Sequence, residues 1–305
     1  MTNQSSRREF LKASMAAAAT AGLPSAVGAL EAAPAPAPKA KITKGLVYGM
    51  LPKKMSYDEQ FKIAADAGFE CVEAYTTPDQ AGAEKIKKAA DSAGIKILSV
   101  MNQAHWENPL SSDDPAAVEK SMEGMRASLR NAKLWGADAV LLVPAVVNPK
   151  TSYRDAWTRS QKKIRELIPM AKDLGVIIAV EEVWNKFLLS PLEFATYVDE
   201  FKSPWVKAYF DVGNVVFYGY PQDWIRTLGK RIVKVHIKDF KRGKGWDPIT
   251  LEFVNLGDGD VDWAEVRKAL DEIGYVGTAC VEIEGGDLAY LTDVSKRFDR
   301  LVRGM

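Results

Sequence analysis

The stretch Leu174-Gly175-Val176-Ile177-Ile178-Ala179-Val180-Glu181-Glu182 reads as the end of a helix, a sharp stop, a buried strand and an acidic strand terminus. Glycine just past the last helical turn takes the left-handed backbone that any Cβ would penalise. The apolar run after it has no alternation, as expected of a parallel strand covered on both faces. The same grammar recurs outward in both directions. Ala67-Gly68-Phe69 leads into Cys71-Val72-Glu73, and Ala93-Gly94-Ile95 into Ile97-Leu98-Ser99-Val100. Trp135-Gly136-Ala137 leads into Val140-Leu141-Leu142-Val143, and Ile273-Gly274-Tyr275 into Thr278-Ala279-Cys280-Val281.

The segments between these runs carry helical periodicity. Val118, Met122, Met125 and Leu129 form one stripe, with the methionines filling core. Ile164, Leu167, Ile168, Ala171 and Leu174 form another, and Val266, Ala269, Leu270 and Ile273 a third. Gly45–Leu51, Val206–Phe210 and Ile232–Ile237 complete a set of eight strands. Strands alternating with helices imply parallel pairing through right-handed crossovers, and eight such units predict a closed (β/α)8 TIM barrel. No Gly-x-Gly-x-x-Gly follows the first strand, so a dinucleotide fold lacks its signature. The long stretch Phe240–Asp262 reads as an irregular, functional loop.

The chain of 305 residues suits one such barrel, which needs about 250. Its 41 basic and 40 acidic side chains leave a net charge of +1, which gives no footing for a nucleic-acid surface. Ser6-Arg7-Arg8-Glu9-Phe10-Leu11-Lys12 resembles a twin-arginine export signal, and the alanine-rich run to Leu23 is too short and weak to anchor in a bilayer. With small residues at Val27-Gly28-Ala29, residues 1–30 read as the signal peptide, 31–44 as an Ala/Pro linker and 45–305 as the barrel. The expected location is the periplasm. Cys71 and Cys280 lie in separate apolar runs and read as small buried side chains, although a disulfide is conceivable in an oxidising compartment.

Barrel active sites sit where strands end. Here four ends are acidic or imidazole-bearing: Glu181-Glu182, Asp211, His236 within Val235-His236-Ile237-Lys238-Asp239, and Glu282 within Val281-Glu282-Ile283-Glu284. Glu73 ends a fifth. Taken singly, such acids read as rim residues pairing with Lys186, Lys238 or Arg242. Together, converging on one axis, they need a positive partner, and no lysine or arginine stands at the ends of the strands that close with Glu181, Asp211 or Glu282. One divalent ion (Mn2+, Mg2+, Co2+ or Zn2+) is the economical answer.

The stretches Gly175-Val176-x-x-Ala179-x-Glu181, Phe210-Asp211-Val212-Gly213-Asn214, Val235-His236-Ile237-Lys238-Asp239 and Gly257-Asp258-Gly259-Asp260-Val261-Asp262-Trp263 resemble the xylose-isomerase-like barrels. So does Gly274-Tyr275-x-Gly277 through Glu282. The likeness runs from about Gly45 to the end. The resemblance implies metal ligation by Glu181, Asp211, His236 and Glu282. Glu182-Val183-Trp184-Asn185-Lys186-Phe187 also resembles the epimerases' Glu-x-x-Asn-Arg-Phe run, so Glu182 competes with the preferred Glu181. The family's three-zinc endonuclease needs many histidines, and this chain has 2.

The implied chemistry is sugar isomerisation or epimerisation through an enediolate, with Glu181 and Glu282 taking and returning the proton. Glu73, His105, Trp184, Asn214 and Lys238 are the expected substrate contacts. Several epimerases carry histidine where this chain has Asn214. Trp106, Trp184 and Trp246 would wall the sugar, while Lys241, Arg242 and Lys244 offer a basic loop. Asp239 would orient a neighbour or cap a loop. The partner is a small carbohydrate, with no nucleic acid and no stable membrane anchor; a homo-oligomer stays open. Rival readings are a metal-dependent lyase or dehydratase on a keto-sugar, keto-glycoside or inosose, and a non-catalytic sugar-binding barrel.

Overall fold

A computed structural model describes residues 39–243 and 251–305. Its barrel strands are β1 (Lys41–Val47), β2 (Cys71–Tyr75), β3 (Lys96–Met101), β4 (Ala139–Leu142), β5 (Ile177–Glu181), β6 (Val206–Asp211), β7 (Ile232–Ile237) and β10 (Val276–Val281). They close in the order β1-β10-β7-β6-β5-β4-β3-β2, every pair parallel. Eight helices among the described residues cover the barrel: α1 (Tyr57–Asp66), α2 (Gln80–Ala93), α3 (Pro115–Trp135), α4 (Tyr153–Leu174), α5 (Pro191–Asp199), α6 (Pro221–Leu228), α7 (Trp263–Glu272) and α8 (Leu288–Phe298).

The helix stops fall where the glycines put them. Gly68, Gly94, Gly136, Gly175 and Gly274 take φ of 88, 67, 80, 70 and 63°. At Gly175 the backbone N–H donates back to Ala171 and Lys172, closing α4, and β5 starts two residues later. The helical stripes turn inward. Met122, Met125 and Leu129 of α3, Ile164, Leu167 and Ala171 of α4, and Val266, Ala269 and Leu270 of α7 are all buried. Each fully buried side chain of this kind contributes about 1.5–3 kcal/mol.

Inside the barrel a separate, smaller core gathers Val47, Cys71, Met101, Leu141, Ala179, Tyr209 and Cys280. Gly45 pairs in register with both Cys71 and Cys280. A Cβ at Gly45 would meet both sulfurs, at 2.6 and 2.8 Å, so glycine makes room for them. Both cysteines are free and buried.

Two strand assignments need correction. The first strand is Lys41–Val47 rather than Gly45–Leu51, and Tyr48–Met50 is a 3-10 turn. Its polar start hides it from a search for apolar runs: Lys44 is buried, but its ammonium reaches Asp299 at 2.6 Å and Ser295 at 2.8 Å. The stretch from Phe240 is also not wholly irregular. A hairpin of β8 (Asp239–Lys241) and β9 (Glu252–Val254) rises from it, with Phe240 opposite Phe253. Asp239 pins its base, accepting from the backbone N–H of Phe240, Gly257 and Val261 and from Trp263 Nε1 at 2.9, 2.8, 3.3 and 3.1 Å. Of the two roles open to Asp239, it plays the loop cap.

Candidate functional site

Strand register brings the acids together. Glu181 and Asp211 are the last residues of β5 and β6, His236 faces Asp211 across β6 and β7, and Glu282 follows the end of β10. One ligand atom from each of Glu181, Asp211, His236 and Glu282 lies within 4.8 Å of all the others. His236 Nδ1 is the hub, 2.8 Å from Glu181 Oε1, 3.1 Å from Glu282 Oε2 and 3.7 Å from Asp211 Oδ2.

Each member is held from behind. Asp211 Oδ1 accepts from the backbone N–H of Gly213 and Asn214, both at 2.8 Å, a turn that Asp-Val-Gly-Asn encodes locally. That leaves Asp211 Oδ2 buried and without hydrogen-bond geometry to any partner, although Lys238 Nζ lies 2.9 Å away. His236 Nε2 points the other way, onto Glu73 Oε1 at 2.9 Å. Tyr209 donates to the second Glu73 oxygen at 2.6 Å, and Ser99 donates to it as well. Glu73 is fully buried on the far side of the imidazole. Its expected substrate contact is therefore replaced by a hold on His236, because both its oxygens are already engaged. A carboxylate behind a ligating histidine fixes its tautomer and ring orientation.

At the end of β5 the two glutamates part. Glu181 enters the cluster. Glu182 turns to accept from the backbone N–H of Asp211 at 3.0 Å, and its other oxygen has no hydrogen-bond partner among the described residues. Burial first, then the charges of Asp211 and Glu181, push the Glu182 carboxyl well above the ordinary range. Burial also raises Glu181, to about 7, against the pull of His236. Burial pushes Glu282 up as well but loses: His236 and Lys238 hold its carboxyl well down. Glu284 is exposed and stands apart.

Lys238 supplies the cation that the ends of β5, β6 and β10 do not. Its ammonium lies 2.7 Å from Glu282 Oε2 and 3.5 Å from Asn214 Oδ1, besides its approach to Asp211. Burial opposes its charge, yet Asp211, Glu282 and Glu181 outweigh that and raise its pKa. Asn214 in turn donates to the Glu182 carbonyl at 3.1 Å, so both expected substrate residues also brace the cluster. Among the described residues, Lys238 and His236 face four carboxyl groups, those of Glu73, Glu181, Asp211 and Glu282. Three carboxylate oxygens, one imidazole nitrogen, an orphaned Asp211 Oδ2 and a braced histidine fit a divalent cation.

His105 sits at the same rim, almost fully buried, with Nδ1 accepting from the Val143 N–H at 3.2 Å. The proton is therefore on Nε2, which has no partner among the described residues. Burial drops its pKa to about 3, with Glu282 opposing, so the ring is neutral. Trp106, half-exposed, stands edge-on to it at 4.5 Å. Trp184 donates through Nε1 to the Asn214 carbonyl at 2.8 Å and stacks on Phe253 with centroids 5.2 Å apart. Of the basic loop, Lys241 lies 4.0 Å from Glu252, and Arg242 sits over the Tyr220 ring at 5.3 Å. Lys244 and Trp246 lie outside the described residues. Ser99, Tyr209 and Phe253 have no signature in the sequence; only the inward alternation of strand side chains marks the first two.

Comparison with known proteins adds to this geometry. A family described as xylose isomerase-like TIM barrel matches residues 61–300, and the twin-arginine translocation signal matches residues 4–24, which directs export by that pathway. The L-ribulose-5-phosphate 3-epimerase UlaE of Escherichia coli O157:H7 is 24% identical over 254 residues, covering 80% of this chain and 87% of its own. The D-psicose 3-epimerase of Enterocloster bolteae is 25% identical over 226 residues, 70% of each. The crystal structure of a D-tagatose 3-epimerase-like protein superposes with a TM-score of 0.72 at 18% identity, over 86% of this chain and 99% of that one. At that identity the structural likeness speaks for the fold.

Proposed function

The chain belongs to the xylose isomerase-like TIM barrel family, and on that premise we propose that it is an exported, divalent-metal-dependent sugar isomerase or epimerase. The observation that carries this reading is the convergence of Glu181, Asp211, His236 and Glu282 within 4.8 Å, beside sugar epimerases among the relatives. Those four residues would hold the ion, which when bound supplies positive charge to a substrate oxygen that turns anionic as its neighbouring C–H is broken.

The protein's own groups do the rest. Glu181 and Glu282 come from strands separated by β6 and β7 and approach the site from different sides. One removes the proton next to the carbonyl and the other returns it, a kind of help that contributes about 10²–10⁴-fold. Glu73 keeps the imidazole turned so that Nδ1 faces the acids. Lys238 donates to a substrate hydroxyl, steadied by Asn214. The His105 Nε2–H, without a partner among the described residues, donates to another. An unsatisfied buried donor costs about 1–3 kcal/mol, so a ligand that meets it is favoured. Trp184 forms an apolar wall. With the export signal, the working compartment is the periplasm.

The test is NMR of candidate ketoses with manganese-loaded protein in D2O. An epimerase or isomerase exchanges the C–H next to the carbonyl and yields the diastereomer or the aldose. Exchange with loss of water or an alcohol identifies a lyase instead. Sugar binding with no exchange leaves only a binding barrel.

A further inference from the structure

Resting on that reading, the geometry points to a second subsite beside the acids: an aromatic platform of Trp184 and Phe253 that takes a neutral second ring, making a glycoside rather than a free monosaccharide the preferred substrate. Phe240, Phe253 and Trp184 form a corner, with Phe240 buried at its base and centroids 5.1 and 5.3 Å from the other two. Trp184 remains 50% exposed and Phe253 45% exposed, an unusual cost for large rings that touch each other.

Neither ring is loosely placed. Trp184 is tied by its indole N–H to the Asn214 carbonyl, and Phe253 is carried by β9 opposite Phe240. A fixed ring loses little freedom when a ligand lands on it. The platform is also continuous with the site. The Phe253 centroid is 5.5 Å from Lys238 Nζ, which is 2.7 Å from Glu282 Oε2. A sugar whose reacting carbon meets the acids spans about that gap, so the ring attached to it falls on the aromatic corner. The apolar C–H face of a pyranose suits such a surface.

The neighbouring charges argue against a phosphate there. Among the described residues of this rim, the charge of Lys238 is offset by Asp211 and Glu282, Lys241 faces Glu252, and Arg242 lies over Tyr220.

The experiment compares D-fructose, fructose 6-phosphate and isomaltulose, which is fructose bearing glucose on O6, by deuterium exchange with manganese-loaded enzyme. Isomaltulose should exceed fructose in kcat/KM by about tenfold, the effect of one good ring contact. Phe253→Leu and Trp184→Leu should collapse that ratio through the disaccharide's KM, while Phe253→Tyr keeps it. Equal or lower kcat/KM for isomaltulose, or a ratio that survives both leucine variants, overturns the subsite. Preference for fructose 6-phosphate overturns it in favour of an anion reader. No exchange with any of the three sinks the epimerase reading along with it.

Discussion

The two ends of this barrel handle buried charge in opposite ways. At the N-terminal end, buried charge is paired: the Lys234 ammonium reaches Asp138 at 2.6 Å. The described side-chain atom left without a partner there is a neutral one, Thr278 Oγ1. At the C-terminal end, like charges crowd and partners run short. Asp211 Oδ2, Glu182 Oε2, His105 Nε2 and Asn102 Nδ2 are all buried without a hydrogen-bond partner among the described residues. One end is built for stability and the other gives stability up, as sites that must bind something do.

Substitutions can break this contrast, and the largest effect belongs at the acidic end. Glu181→Gln and Glu282→Gln should each cut turnover by about 10²–10⁴-fold while the metal-free protein melts no lower than the parent. Melting well below it would mean that these acids stabilise the fold. Next, Glu73→Gln weakens the hold on the His236 ring, and calorimetric titration with Mn2+ should show affinity falling about 10–100-fold. At the opposite end, Asp138→Asn leaves the Lys234 ammonium buried without its partner. Chemical denaturation should register a loss of about 1–3 kcal/mol with metal affinity untouched.

The smallest effect is at His105. His105→Asn should raise KM about fivefold, one hydrogen bond's worth, with kcat little changed. Its folded pKa is lowered from 6.5 to about 3. The unfolded chain therefore binds the extra proton as pH falls below 6.5, and stability from this group is fully present above that value and lost toward about 3. Removing the ring should make the melting temperature less acid-sensitive over that window.

How far the sequence carries depends on the range of the contact. Helix stops and strand runs are local, and Gly175, Gly136 and their counterparts mark them plainly. The ends of β5, β6, β7 and β10 were legible because barrel topology turns the end of each strand toward one axis. The support of the site was not. Glu73 meets Ser99 across 26 residues and Tyr209 across 136, and no periodicity announces such pairs. Its acidic character suggested a substrate contact, whereas its partners make it a brace. The parting of Glu181 from Glu182 depends on a backbone N–H of the next strand. Lys238 was legible as a rim charge and expected substrate contact, but its reach to two neighbouring strands is set by side-chain rotation. The hairpin escaped notice because β8 and β9 are three residues each, too short for alternation to register.

The most direct measurement is elemental analysis of the mature protein, run beside its Glu181→Gln, Glu182→Gln and Glu282→Gln variants after reconstitution. One divalent ion per chain should be retained by the parent and by Glu182→Gln, and lost from the other two. A parent that takes up no ion, or an ion lost on changing Glu182 alone, would contradict a shared cation among these acids.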